Sequence, residues 1–103
     1  MERDELQKEF DRFKSIVETN DYISRFLIEF KDELYELRNG EHPASIKHHH
    51  NNKYGLLRHT IEVCQILEKL SDMYILNKSF LLLAGLLHDL GKLYEYKIEN
   101  NKW

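Results

Sequence analysis

The sequence predicts an all-α fold, and three observations carry that expectation. Apolar residues recur at spacings of three and four along most of the chain, as one face of a helix requires. Helix-breaking residues are few, four Gly and one Pro in 103 residues, and Gly40, Pro43 and Gly91 fall at the ends of periodic stretches. Hydrophobic residues make up 42% and charged residues 32%, enough to bury a modest core and unlike a disordered or collagenous chain. A chain of this length forms one small domain, which excludes a two-lobed enzyme or a separate cofactor domain.

In the first segment Leu6, Phe10, Phe13 and Val17 are spaced by four, three and four, and Asp4 and Glu5 suit the positive end of a helix dipole. Asn20 or Asp21 is the expected cap of a second helix with the apolar set Ile23, Phe26, Leu27, Phe30, Leu34 and Leu37, stopped by Asn39-Gly40 and Pro43. The two read as an amphipathic hairpin over residues 1–42, packed on the same core and able to serve as a homo-oligomer contact. After a short segment, Leu56, Thr60, Val63, Leu67, Leu70 and Tyr74 mark a third helix. Asn77 starts a fourth, in which residues 80–87 are apolar on every side, as in a helix buried all round, and Gly91 should end it in the left-handed conformation. The alternation of Tyr94, Tyr96 and Ile98 fits a short extended tail.

The longest unbroken apolar run, eight residues, is far short of the roughly 20 needed to cross a bilayer, and the charged N-terminus has no signal-peptide pattern. A soluble cytoplasmic protein without membrane partners is therefore expected. The single cysteine, Cys64, excludes an internal disulfide and a tetracysteine zinc site, and it reads as a small buried hydrophobe. A net charge of −3 argues against strong duplex nucleic-acid binding, which depends on Lys and Arg neutralising phosphates. The charge is unevenly spread. Residues 1–42 hold seven Lys and Arg against twelve Asp and Glu, residues 43–103 hold eight against six, and all six histidines lie from His42 onward. Chemistry on a phosphate would therefore sit in the second part.

His88-Asp89 stands at the end of the most hydrophobic helix, where a carboxylate is costly unless a cation offsets it and where the helix dipole also disfavours it. Lys92 or a metal ion could be that cation, and the adjacent imidazole makes a metal the more economical account. His59 lies on the edge of the apolar stripe of the third helix. Alone it would read as a core histidine; beside a neighbouring helix that ends in His-Asp it becomes a candidate ligand. Two helices would then hold one ion through His59, His88 and Asp89 and leave positions open for water and a substrate oxygen.

These residues also carry a resemblance. Pro43-Ala44-Ser45, His49-His50, Tyr54-Gly55-Leu56-Leu57-Arg58-His59-Thr60 and the stretch from Leu82 to Leu87 followed by His88-Asp89-Leu90-Gly91-Lys92 resemble the first half of an HD-domain metal-dependent phosphohydrolase. The likeness spans about residues 43–98 and is greatest to the HD domain of bacterial 3′ to 5′ exoribonucleases. It implies an all-helical bundle in which His59, His88 and Asp89 are metal ligands and Lys92 lies near the bound phosphate. His49 and His50 match a paired histidine that precedes the first ligand and are candidate accessory ligands. The family draws a further aspartate from a helix well downstream, which this sequence does not contain, so residues 43–103 read as an incomplete metal-binding part. The oligonucleotide-binding barrel of the exoribonucleases is replaced here by acidic helices.

The expected function is hydrolysis of a nucleotide or related phosphate ester with a divalent ion (Mn, Fe, Ni, Co, Zn or Mg), using His88, Asp89 and Lys92. Two rivals stay open: a catalytically silent HD-like module that binds metal or nucleotide or serves in assembly, and a structural helical domain in which Asp89 simply pairs with Lys92.

Overall fold

The structure, a computed structural model, describes residues 2–43 and 53–94. Among them are five helices and no strand: α1 (Arg3–Glu18), α2 (Arg25–Glu29), α3 (Lys31–Asn39), α4 (Gly55–Tyr74) and α5 (Lys78–Leu87). The fold is all-α, as the spacing of apolar residues requires.

Leu6, Phe10, Phe13 and Val17 of α1 are enclosed in one core with Leu34 and Leu37 of α3, Leu56, Leu57, Ile61 and Cys64 of α4, and Leu82 and Leu86 of α5. The most extensive packing joins α4 to α5, and α1 lies across both. Removing a leucine-sized side chain from this core should cost about 2–5 kcal/mol. Charged pairs at the rim fasten α1 to its neighbours. The Arg12 guanidinium donates to both carboxylate oxygens of Glu68 on α4, at 2.8 and 2.9 Å. Arg38 of α3 donates to both oxygens of Asp11, at 2.7 and 2.8 Å.

The expected second helix is two. Asn20 does not cap it; its side-chain oxygen accepts from the Tyr22 amide at 3.0 Å and opens a turn, so that α2 starts only at Arg25. At Phe30 the backbone leaves helical geometry (φ −105°, ψ 24°), while bonds from Phe30 N–H to the Phe26 carbonyl and from Leu34 N–H to the Phe30 carbonyl bridge the break. Leu27 and Leu34 on either side both stay buried. No Gly or Pro marks this change of direction, so spacing alone reads through it.

Three further expectations are corrected. Helix α5 is not buried all round, because Phe80, Ala84 and His88, four apart, form an exposed edge. Gly91 is not left-handed; α5 ends at Leu87 and the chain continues in tight i to i+3 hydrogen bonds from Leu87 to Leu93 that need no reversal. Tyr94 belongs to the helical turn at 91–94 and its hydroxyl donates to Glu33, whose carboxyl is held below its ordinary range by that bond. The rest of the expected extended tail, Tyr96 and Ile98, lies outside the described residues.

Between α4 and α5 the chain turns at Ile75, which takes the left-handed conformation (φ 52°, ψ 54°) and closes α4 by donating to the Ser71 carbonyl. Asn77 then caps α5, its side chain accepting from the Phe80 amide at 2.9 Å. The helices run antiparallel: Lys78 pairs with Asp72 at one end and His88 meets His59 at the other.

Candidate metal centre

The close approach of α4 and α5 is made by Gly85. A Cβ at that position would come within 2.8 Å of Cys64 Sγ and 3.1 Å of Leu67 Cδ1, so any larger residue would force the helices apart. Cys64 is fully enclosed there, and burial pushes its thiol up to about 12, which leaves it an inert packing residue rather than a nucleophile. One turn beyond this contact, where α5 ends, the two helices bring His59, His88 and Asp89 to one point.

The three ligand atoms form a nearly equilateral triangle. His88 Nε2 lies 3.1 Å and His59 Nε2 3.2 Å from Asp89 Oδ2, and the two imidazole nitrogens are 3.3 Å apart. An ion about 2.1 Å from each of three such atoms would hold them about 3.0 Å apart at right angles and about 3.4 Å apart at the tetrahedral angle. The observed spacings fall inside that interval. The three residues therefore fit a divalent ion held on one face. Among the described residues no other trio of His, Cys, Asp or Glu converges in this way.

Orientation is built in. His88 Nδ1 lies 2.6 Å from the Gly85 carbonyl, an atom that can only accept, so the neutral imidazole carries its proton on Nδ1 and presents the Nε2 lone pair to the centre of the triangle. The His59 and His88 rings are tilted by 56° with centroids 5.2 Å apart, which points the nitrogens at a common place instead of stacking the rings. Asp89 is not deeply buried: its side chain is 20% exposed, and the turn after α5 keeps it at the rim. Lys92 Nζ lies 3.6 Å from the same Asp89 oxygen, close enough to attract the charge but longer than a normal hydrogen bond.

Sequence reasoning placed His59, His88, Asp89 and Lys92 together, and the fold does so. It missed Gly85, which was only one member of an apolar run; the signal was a glycine three residues ahead of a histidine in a helix otherwise free of helix breakers. His49 and His50 lie outside the described residues. The start of α4 is fixed from the preceding segment, where the Leu56 amide donates to the His42 carbonyl at 2.8 Å and His42 Nε2 lies 2.8 Å from Glu36 of α3.

Comparison with known proteins covers the same stretch of chain. The HD domain family model matches residues 56–102, which include the whole triangle and Lys92. A protein named 3′-5′ exoribonuclease YhaM from Listeria welshimeri is 33% identical over 75 residues, 71% of this chain and 22% of its own length. The Bacillus subtilis protein of the same name is 33% identical over 88 residues, 77% of this chain and 27% of its own. A dihydroneopterin 2′,3′-cyclic phosphate phosphodiesterase from Methanocaldococcus jannaschii is 39% identical over 62 residues, covering 54% of this chain and 25% of that protein. The chain thus spans about a quarter of the length of these curated relatives. No solved structure gives a significant match. No helix among the described residues is long and apolar enough to cross a membrane.

Proposed function

Residues 56–102 belong to the HD domain family, and from that premise we propose that the chain contributes to metal-dependent hydrolysis of a phosphate ester, of the nucleotide phosphodiester class. The observation that supports this most directly is the triangle of His59, His88 and Asp89 ligand atoms, sized for one divalent ion. In this reading residues 43–103 form the metal-binding part and residues 1–42 brace it. The names of the relatives point the same way, since an exoribonuclease and a cyclic-phosphate phosphodiesterase both act on phosphate esters.

A divalent ion bound by these three side chains supplies a water acidic enough to act near neutral pH and polarises a phosphoryl oxygen. The protein's own residues do the rest. Gly85 holds the His88 ring in the tautomer that offers Nε2, and the α4–α5 contact keeps His59 at the right distance. Lys92, whose Nζ lies 3.6 Å from Asp89 Oδ2, would offset charge that develops on the phosphate, the main lever for phosphoryl transfer. Mixed imidazole and carboxylate ligands suit Mn, Fe, Co, Ni or Zn.

The test is metal content of untagged protein, compared with His88→Ala and Asp89→Ala, followed by hydrolysis of bis-(p-nitrophenyl) phosphate with added Mn. Stoichiometric metal and turnover, both lost in the variants, is the expected result. Metal without turnover would replace the enzyme with a silent binding module, and protein lacking stoichiometric metal under all loading conditions would overturn the reading.

A further inference from the structure

Helix α3 reaches both segments that carry the candidate ligands. Its Glu33 and Glu36 lie three residues apart, neighbours on one face of the helix. Glu33 accepts from the hydroxyl of Tyr94, at the far end of the turn that holds Asp89 and Lys92. Glu36 faces His42 Nε2 at 2.8 Å. The His42 carbonyl in turn accepts from the Leu56 amide at 2.8 Å, one of the first-turn amides of α4 that have no acceptor inside their own helix. His59 follows three residues later on α4. One acidic side chain thus fastens the segment ahead of His59, and the other fastens the segment behind Asp89.

These contacts supply what the apolar packing does not. Leu90 and Leu93 are buried and set which side of the turn faces the core, but apolar burial has no direction of its own and leaves the turn able to rock about the line that joins them. Such a movement would shift Asp89 Oδ2 against the His88 and His59 nitrogens, 3.1 and 3.2 Å away. A directional bond at Tyr94 opposes it. On the other helix, Gly85 sets how near α4 lies to α5, whereas the His42 carbonyl secures the first turn of α4 next to His59. We propose that α3 is a positioning element for the metal centre: Glu33, through Tyr94, and Glu36, through His42, hold the ligand-bearing segments at the spacing an ion needs before it binds. The ion in this proposal rests on the metal-dependent reading of the site; the two contacts do not.

The experiment combines calorimetric titration of the whole chain with Mn and amide hydrogen exchange of the metal-free protein. Tyr94→Phe should weaken Mn binding about threefold, the worth of a hydrogen bond near the low end of the usual net range. It should also speed exchange at Lys92 and Leu93, whose amides donate to the Asp89 and Leu90 carbonyls. The urea midpoint of the metal-free protein should hardly move, because Tyr94 is 54% exposed. Glu36→Ala should weaken Mn binding to a similar degree and speed exchange at Leu56. Glu33→Ala should match Tyr94→Phe, whereas Glu33→Gln, which keeps an oxygen for the hydroxyl but loses the charge, should stay close to the parent. Mn affinity unchanged in both Tyr94→Phe and Glu36→Ala overturns the proposal. Glu33→Gln as weak as Glu33→Ala also overturns it, since simple attraction of the cation by a carboxylate then accounts for the effect. A parent chain that binds no Mn, while exchange at Lys92 and Leu93 still responds to Tyr94→Phe, overturns the metal reading and not the contact; unchanged exchange in a chain that binds Mn overturns the contact and not the reading.

Discussion

Arg12 and Asp89 each stand where charged side chains from separate helices meet, and the two meetings are built on opposite principles. Around Arg12 the carboxylate oxygens face donors: Glu68 accepts from the guanidinium at 2.8 and 2.9 Å, and Glu9 at 2.6 and 3.4 Å. Around Asp89 two imidazole nitrogens and a carboxylate oxygen point at a common centre, with the Lys92 ammonium 3.6 Å from Asp89 Oδ2. The first arrangement joins donors to acceptors, and the second, among the described residues, turns three ligand atoms toward one point. Complementary pairs hold helices in place, whereas convergent acceptors describe the shape of something they could bind.

The sharpest way to break this contrast is Asp89→Asn. A divalent ion that binds only the folded chain, present at a hundred times its dissociation constant, should stabilise the parent by about 2.7 kcal/mol and the variant not at all, read as the shift in the urea midpoint with and without Mn. Equal stabilisation of both would mean that the triangle is not where the ion sits. Next in size is Gly85→Val, which places atoms where Cys64 Sγ already lies and should cost about 1–3 kcal/mol. Adding Cys64→Ala should recover part of that loss, and a double-mutant cycle with no coupling would remove the helix contact from the account of the site. Arg12→Met should cost at most about 1 kcal/mol, since the pair is partly exposed, and the loss should shrink in high salt while the ion-dependent stabilisation of the parent persists.

The smallest effect expected is on acid stability. Hydrogen bonds from Arg12 hold Glu68 and Glu9 below their ordinary range, and one from Arg38 does the same for Asp11. Groups with lowered folded-state pKa values contribute stability that is present above the unfolded carboxylate range, about 4, and is lost as pH falls through the folded values. Asp11→Asn should therefore flatten the fall of the melting temperature between pH 5 and pH 3 by a small amount, whereas a steeper fall in the variant would contradict the pairing.

How far these features could be read from the sequence differs from helix to helix. The four-three-four spacing of Leu6, Phe10, Phe13 and Val17 allows one structure, and all four are buried. The break at Phe30 escapes because the backbone changes direction without a residue that demands it. Gly91 carries the usual mark of a left-handed terminus yet does not use it, while Ile75, among the residues least suited to that conformation, adopts it. Gly91 is the misreading of the two, and at both positions local preference yields to the hydrogen bonds that shape the turn. For the candidate site, residue types were legible because an ionisable pair after an apolar helix needs a partner. The distances were not, since they depend on how near two helices can approach, and a hydrogen in place of a side chain at Gly85 sets that.

The placement of α1 has a consequence in time. Its apolar stripe is covered chiefly by α5, some sixty or seventy positions later in the chain, and by α4. At about 5–20 residues per second, a nascent α1 waits on the order of several seconds on the ribosome before its covering partner emerges. Phe10 and Phe13 are thus made early and sheltered late, and the first 42 residues are not a folding unit of their own.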